Sequence, residues 1–193
     1  MQDVMMNGMR NEKKSKSYAF IDSQNLNVGV QKFGWKMDWK KFRKYLYEIY
    51  NVEKAFMFIG YVPEFEAMYE QLHESGYLVV LKPTFDMTRP HEPDKPQDKI
   101  GDKEQEKQTK GNVDADLVLW AMKELPNYQK AVIVSGDGDF YSLVEYLDEK
   151  GKLLKLLAPN AHYSGLYNKY ENYVERLDTL RRELAYKDYK KRN

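Results

Sequence analysis

Apolar positions in this chain fall into short runs that alternate with stretches of helical spacing. Residues 18–22, Tyr-Ala-Phe-Ile-Asp, form a brief apolar run closed by an acid. That is the pattern of a strand buried on both faces. A polar loop is expected after it. Helical spacing begins near residue 37 and runs to residue 50, with Asp38 as the N-cap and Phe42, Leu46 and Ile49 in step. Residues 52–61 predict a second strand. A first-turn proline, Pro63, opens a second helix carrying Phe65, Met68, Tyr69 and Leu72, which stops at Gly76. Residues 77–81 predict a third strand. Strand, helix, strand, helix, strand is the order of a parallel sheet covered by helices.

The pattern then lapses. Residues 82–110 contain four of the seven prolines, seven basic and seven acidic side chains, and few apolar ones. Such a stretch buries too little surface to offset its ordering entropy, so a mobile loop or insertion is expected there. Helical spacing returns over residues 113–125, with Leu117, Leu119 and Trp120 on or near one face. Residues 131–134 predict a fourth strand, closed by Ser135-Gly-Asp137-Gly-Asp139. A helix over 140–150 and a fifth strand over 152–157 follow. Residues 164–187, rich in tyrosine, are expected to be helical and to end in a basic tail. The implied organisation is a leader over 1–17, one domain over 18–160 and an extension over 161–193.

Composition narrows the chemistry. The 193 residues include no cysteine, which removes disulfides, thiolate catalysis and sulfur-ligated zinc. The three histidines, His73, His91 and His162, are too far apart in sequence to suggest a histidine metal centre, and surface or hydrogen-bonded roles are expected for them. With 31 basic and 30 acidic residues the net charge is +1, so any nucleic-acid binding must come from local patches. No apolar stretch is long enough to span a membrane. The first 16 residues lack the apolar core of a signal peptide. A cytoplasmic location without membrane association is expected.

The aspartates carry the functional signal. Asp22 ends the first strand, Asp137 and Asp139 follow the fourth, and Asp114 and Asp116 open the helix before the fourth strand. In an open parallel sheet, ligands bind beyond the carboxyl ends of the strands where strand order reverses. If the first and fourth strands are neighbours there, these acids share one crevice. Taken singly, each acid also suits a cap or turn. Clustered carboxylates repel, and either protonation or a divalent cation relieves them. An oxygen-only ligand set suits Mg²⁺ or Mn²⁺, and metal-assisted hydrolysis of a phosphodiester is the chemistry that follows. Asn25, Ser135 and Lys110 are candidate substrate contacts, each with a structural alternative as a turn, strand-end or solvated residue.

Three segments together, Ile21-Asp22-Ser-Gln-Asn25-Leu26, Lys110-Gly-Asn-Val-Asp114-Ala-Asp116-Leu117 and Val134-Ser-Gly-Asp137-Gly-Asp139-Phe140, resemble the NYN domain, in its LabA-like branch, of the PIN-like nuclease superfamily. Leu143-Val144 and Gly151-Lys152 continue the resemblance, which covers about residues 18–160. It implies a three-layer α/β/α fold of Rossmann-like topology with a mostly parallel five-stranded sheet in order 3-2-1-4-5. It also implies a Mg²⁺- or Mn²⁺-dependent endoribonuclease whose catalytic acids match Asp22, Asp114, Asp137 and Asp139. Where many relatives carry a further acid, this chain has Trp120 and Ala121, so Asp116 stands beside Asp114 as an alternative metal ligand. The implied partner is single-stranded RNA, with a homo-oligomer left open. Two other functions compete. One is a non-catalytic RNA-binding or scaffold module. The other is a phosphatase of the haloacid dehalogenase type, disfavoured because its acid pair should follow the first strand.

Overall fold

The computed structural model describes residues 15–82 and 113–187. The first strand, β1 (Ser17–Asp22), is buried at all six positions. Alternate side chains serve opposite faces. Ala19 and Ile21 join one core with Leu26, Phe42, Leu46 and Leu157. Tyr18 and Phe20 join another with Phe56, Phe58, Leu117 and Ile133. Two cores on one sheet make the three layers.

No loop follows β1. Helix α1 (Ser23–Gln31) begins at once, where the sequence pattern predicted a polar loop. Its inner face is only Leu26, Gly29 and Val30, too narrow a stripe to register as helical periodicity. Helix α2 (Trp39–Tyr50) is capped by Asp38, whose carboxylate accepts a hydrogen bond from the Lys41 amide at 3.1 Å. It buries Phe42, Leu46 and Tyr50, while Ile49 faces solvent. Strand β2 (Val52–Gly60), helix α3 (Glu66–Glu74) and strand β3 (Leu78–Lys82) complete one half. Gly76, at φ 88°, makes the turn that a side chain would oppose.

The second half contains helix α4 (Asp114–Lys123), strand β4 (Lys130–Val134), helix α5 (Tyr141–Glu149) and strand β5 (Leu153–Ala158). Leu119, expected on the inner side of α4, is exposed.

Beyond β5 the expected long helix over 164–187 is replaced by shorter pieces. A 3-10 stretch over Gly165–Tyr173 leads into strand β6 (Val174–Arg176), and α6 (Arg181–Leu184) comes later. Buried Tyr167 and Tyr170 lie three apart, a spacing that fits a 3-10 turn as well as an α-helix. A strand of three residues is too short to show period-two alternation. The chain end then returns to the start of α2. Met37 and Ala185 form an antiparallel bridge, and the Asp38 amide donates to the Leu184 carbonyl at 2.8 Å.

Among the described residues the sheet has six strands rather than five, in the order β3-β2-β1-β4-β5-β6, and every pairing is parallel. The chain leaves β1 toward β2 and β3, then crosses back to place β4 on the other side of β1. Strand order therefore reverses between β1 and β4, as the crevice argument required. Glu175 of β6 is held from α2: both its carboxylate oxygens accept tyrosine hydroxyls, one from Tyr45 and one from Tyr50, the latter at 2.5 Å. Among the described residues, no helix is long and apolar enough to cross a membrane.

Candidate active site at the carboxyl edge of the sheet

Asp22 closes β1 and caps α1, so one residue serves both elements. The Asn25 amide donates to its Oδ1 at 3.0 Å. Its Oδ2 accepts the Ser135 hydroxyl at 3.2 Å. The carboxyl is only 4% exposed. Burial, with the charges of Asp114 and Asp137 adding to it, pushes its pKa up to about 6 against the two hydrogen bonds.

Ser135, the residue after β4, is fully buried. Its hydroxyl bridges the two strand ends, donating to Asp22 and accepting from the Asp137 amide at 3.1 Å. Asn25 makes a parallel tie, its side-chain oxygen accepting from the Gly136 amide at 2.9 Å. These two bridges set the loop 135–139 against the end of β1.

Asp137 and Asp139 are exposed on that loop. Asp137 caps the following 3-10 turn by accepting from the Asp139 amide at 3.0 Å. Its backbone carbonyl accepts the hydroxyl of Tyr167. Gly138 packs closely against the segment after β5: a Cβ there would lie 2.5 Å from the Ser164 hydroxyl oxygen, which would have to turn away. Asp114 stands half-buried at the start of α4. Burial raises its pKa, the charges of Asp137 and Asp139 raise it further, and Lys82 opposes them. Asp116, two residues on and so turned to another face of α4, is ion-paired with Lys82 at 3.0 Å.

Asp22, Asp114, Asp137 and Asp139 thus share one electrostatic field beyond the ends of β1 and β4. Among the described residues, no three acidic or histidine side chains converge tightly enough to hold one ion between them. The donor chemistry still fits a hard cation. Mg²⁺ keeps most of its waters and is often held by one or two carboxylates, and acids whose pKa is raised by their neighbours' charge gain from a cation. Lys110 lies outside the described residues. An open groove of about 550 Å³ runs over the site, lined by Asn25, Asp137, Asp139, Tyr163 and Ser164. Tyr167 and His162 bear on this region from the segment after β5. The sequence offered no signal for them, because that segment lies outside the matched motifs.

A parallel, Rossmann-like sheet with acids gathered from β1, α4 and the β4 loop at its switch point defines a PIN-like α/β fold. The NYN domain model matches residues 16–175, and the chain belongs to that family, a branch of the PIN-like nucleases, which typically use divalent metal ions. The match runs past the motif-bearing region and into β6. A crystal structure of a protein of unknown function from Vibrio parahaemolyticus superposes with a TM-score of 0.66 at 21% identity, covering 92% of this chain and 100% of that one. It shares the fold. No curated protein matches the chain in sequence.

Proposed function

We propose that this protein is a metal-dependent endoribonuclease that hydrolyses phosphodiester bonds of single-stranded RNA at Asp22, Asp114, Asp137 and Asp139. The observation that carries the reading is the gathering of acids at the switch point, where Asp22, buried at the end of β1, feels the charges of Asp114 from α4 and Asp137 from the loop after β4. A fold stabilised for its own sake gains nothing from such repulsion, whereas a cation site does. A divalent ion bound there would activate water and offset charge on the phosphate. Asp137 and Asp139, exposed in the open groove, would take the ion from the solvent side. Asp22 is oriented by Asn25 and Ser135 and cannot swing out of the site. The Asn25 amide group, at the groove wall, would donate to a phosphate oxygen.

The second reading is an RNA-binding module without catalysis, and the failure of three acids to converge favours it. Incubation of short single-stranded RNA with Mn²⁺, with Mg²⁺ and with chelator separates the two. Internal cleavage that needs metal and vanishes in Asp114→Asn and Asp137→Asn supports the nuclease. Binding without cleavage in either metal supports the module.

A further inference from the structure

A second, narrower groove of about 230 Å³ adjoins the acid-lined one and shares Asn25, Gly136 and His162 with it. Val28, Phe33 and Pro159 give it apolar walls, and Lys32 places a cation on its rim. Phe33 is 39% exposed although it is a large apolar side chain. Its ring lies 5.8 Å from the exposed His162 ring, the two planes inclined at 30°.

The groove is built rather than incidental. Asn160 is 6% exposed and spans it underneath, donating to the Gly29 carbonyl at 3.0 Å and accepting from the His162 amide at 2.7 Å. Gly29 lets the loop approach, since a Cβ there would fall 2.4 Å from Pro159 Cβ. These contacts fix His162 beside Phe33.

We propose that Phe33 and His162 form a stacking site for one nucleobase of a single-stranded RNA, with Lys32 on the adjoining phosphate. The proposal rests on the nuclease reading for the path of the strand. A strand crossing the acids continues into this groove, because the two share a wall. An exposed aromatic face beside a cation and an amide suits a base and its phosphate, and stacking tolerates any base identity. A base held this way must be unpaired, which selects single strands over duplex.

The test is titration of protein, in chelator, into short single-stranded RNA carrying one 2-aminopurine, read by fluorescence quenching and anisotropy. An otherwise identical RNA with an abasic residue at that position is the control. Phe33→Ala and His162→Ala should each weaken binding of the base-bearing RNA about tenfold. Phe33→Tyr should restore it, and the abasic RNA should bind wild type and variants alike. Thermal melting checks that the variants fold. Equal binding of wild type and Phe33→Ala to the base-bearing RNA overturns the proposal. So does an equal loss with the abasic RNA, or no binding by wild type. Chelator removes cleavage, so this readout is independent of catalysis. Base-dependent binding with no cleavage on adding Mn²⁺ sustains the stacking site and rejects the nuclease. Cleavage with binding indifferent to Phe33 does the reverse.

Discussion

The hydroxyl of Ser135 lies 3.2 Å from Oδ2 of Asp22 and joins the ends of two neighbouring strands beneath the acids. The same oxygen accepts the Asp137 amide, so a buried serine sets the spacing between a buried carboxylate and an exposed one. The placement of the acids is a property of this bridge as much as of the sheet.

Asp22→Asn tests what the buried charge does to stability. The carboxyl has a folded pKa of about 6 against an ordinary value of 3.8, so the native state binds its proton more tightly than the unfolded chain. The favourable contribution is complete below about pH 4 and is lost as pH rises through 6. Asparagine caps a helix as well as aspartate does, and the Ser135 hydroxyl can accept as well as donate. In chelator, the variant should match wild type near pH 4 and exceed it by about 1–3 kcal/mol at pH 7. Urea unfolding at the two pH values measures this. Equal stability at both would mean that the charge is not strained. Cleavage should be abolished.

Asp114 and Asp116 should separate cleanly. Asp116 is taken up by Lys82 in a part-exposed pair. Asp116→Asn should change stability by about 0.2–1 kcal/mol and leave RNA cleavage within a few-fold of wild type. Asp114→Asn should remove cleavage. Loss of activity in Asp116→Asn with Asp114→Asn active would exchange their roles.

Much of this was legible in the chain. The run from Tyr18 to Asp22 reads as a doubly buried strand because its burial is continuous. The acids read as a site because they fall at strand ends. Helix α1 was hidden because Asp22 ends one element and caps the next, leaving no turn residues as punctuation. The pairing of Asp116 with Lys82 depends on packing between segments far apart in sequence. So does the burial of Ser135, and neither has a local signature.

Gly29→Ala probes the seam between α1 and the end of β5. The added methyl would meet Pro159 Cβ at 2.4 Å and its Cγ at 2.9 Å, and a proline ring cannot rotate aside as an open side chain can. A loss of about 1–3 kcal/mol is expected. Thermal melting gives the answer, and an unchanged midpoint would show that the seam gives way freely.

Tyr50→Phe removes one of the two hydroxyls held by Glu175. A loss of about 0.5–1.5 kcal/mol is expected. Amide hydrogen exchange should speed first at residues 174–176, which then keep only the Tyr45 hydroxyl as a side-chain tie from Glu175 to α2. Uniform acceleration across the sheet would place the effect elsewhere.

Strand β6 also guards against self-association. It covers the side of β5 that would otherwise offer unpaired amides and carbonyls to any extended chain. Such open edges recruit further strands and seed aggregation. A version of the chain cut after Asn160 would retain all the site aspartates and motifs, yet lay bare that row together with the apolar surface under Tyr167 and Tyr170. It should precipitate or form disordered oligomers while its secondary structure still looks native.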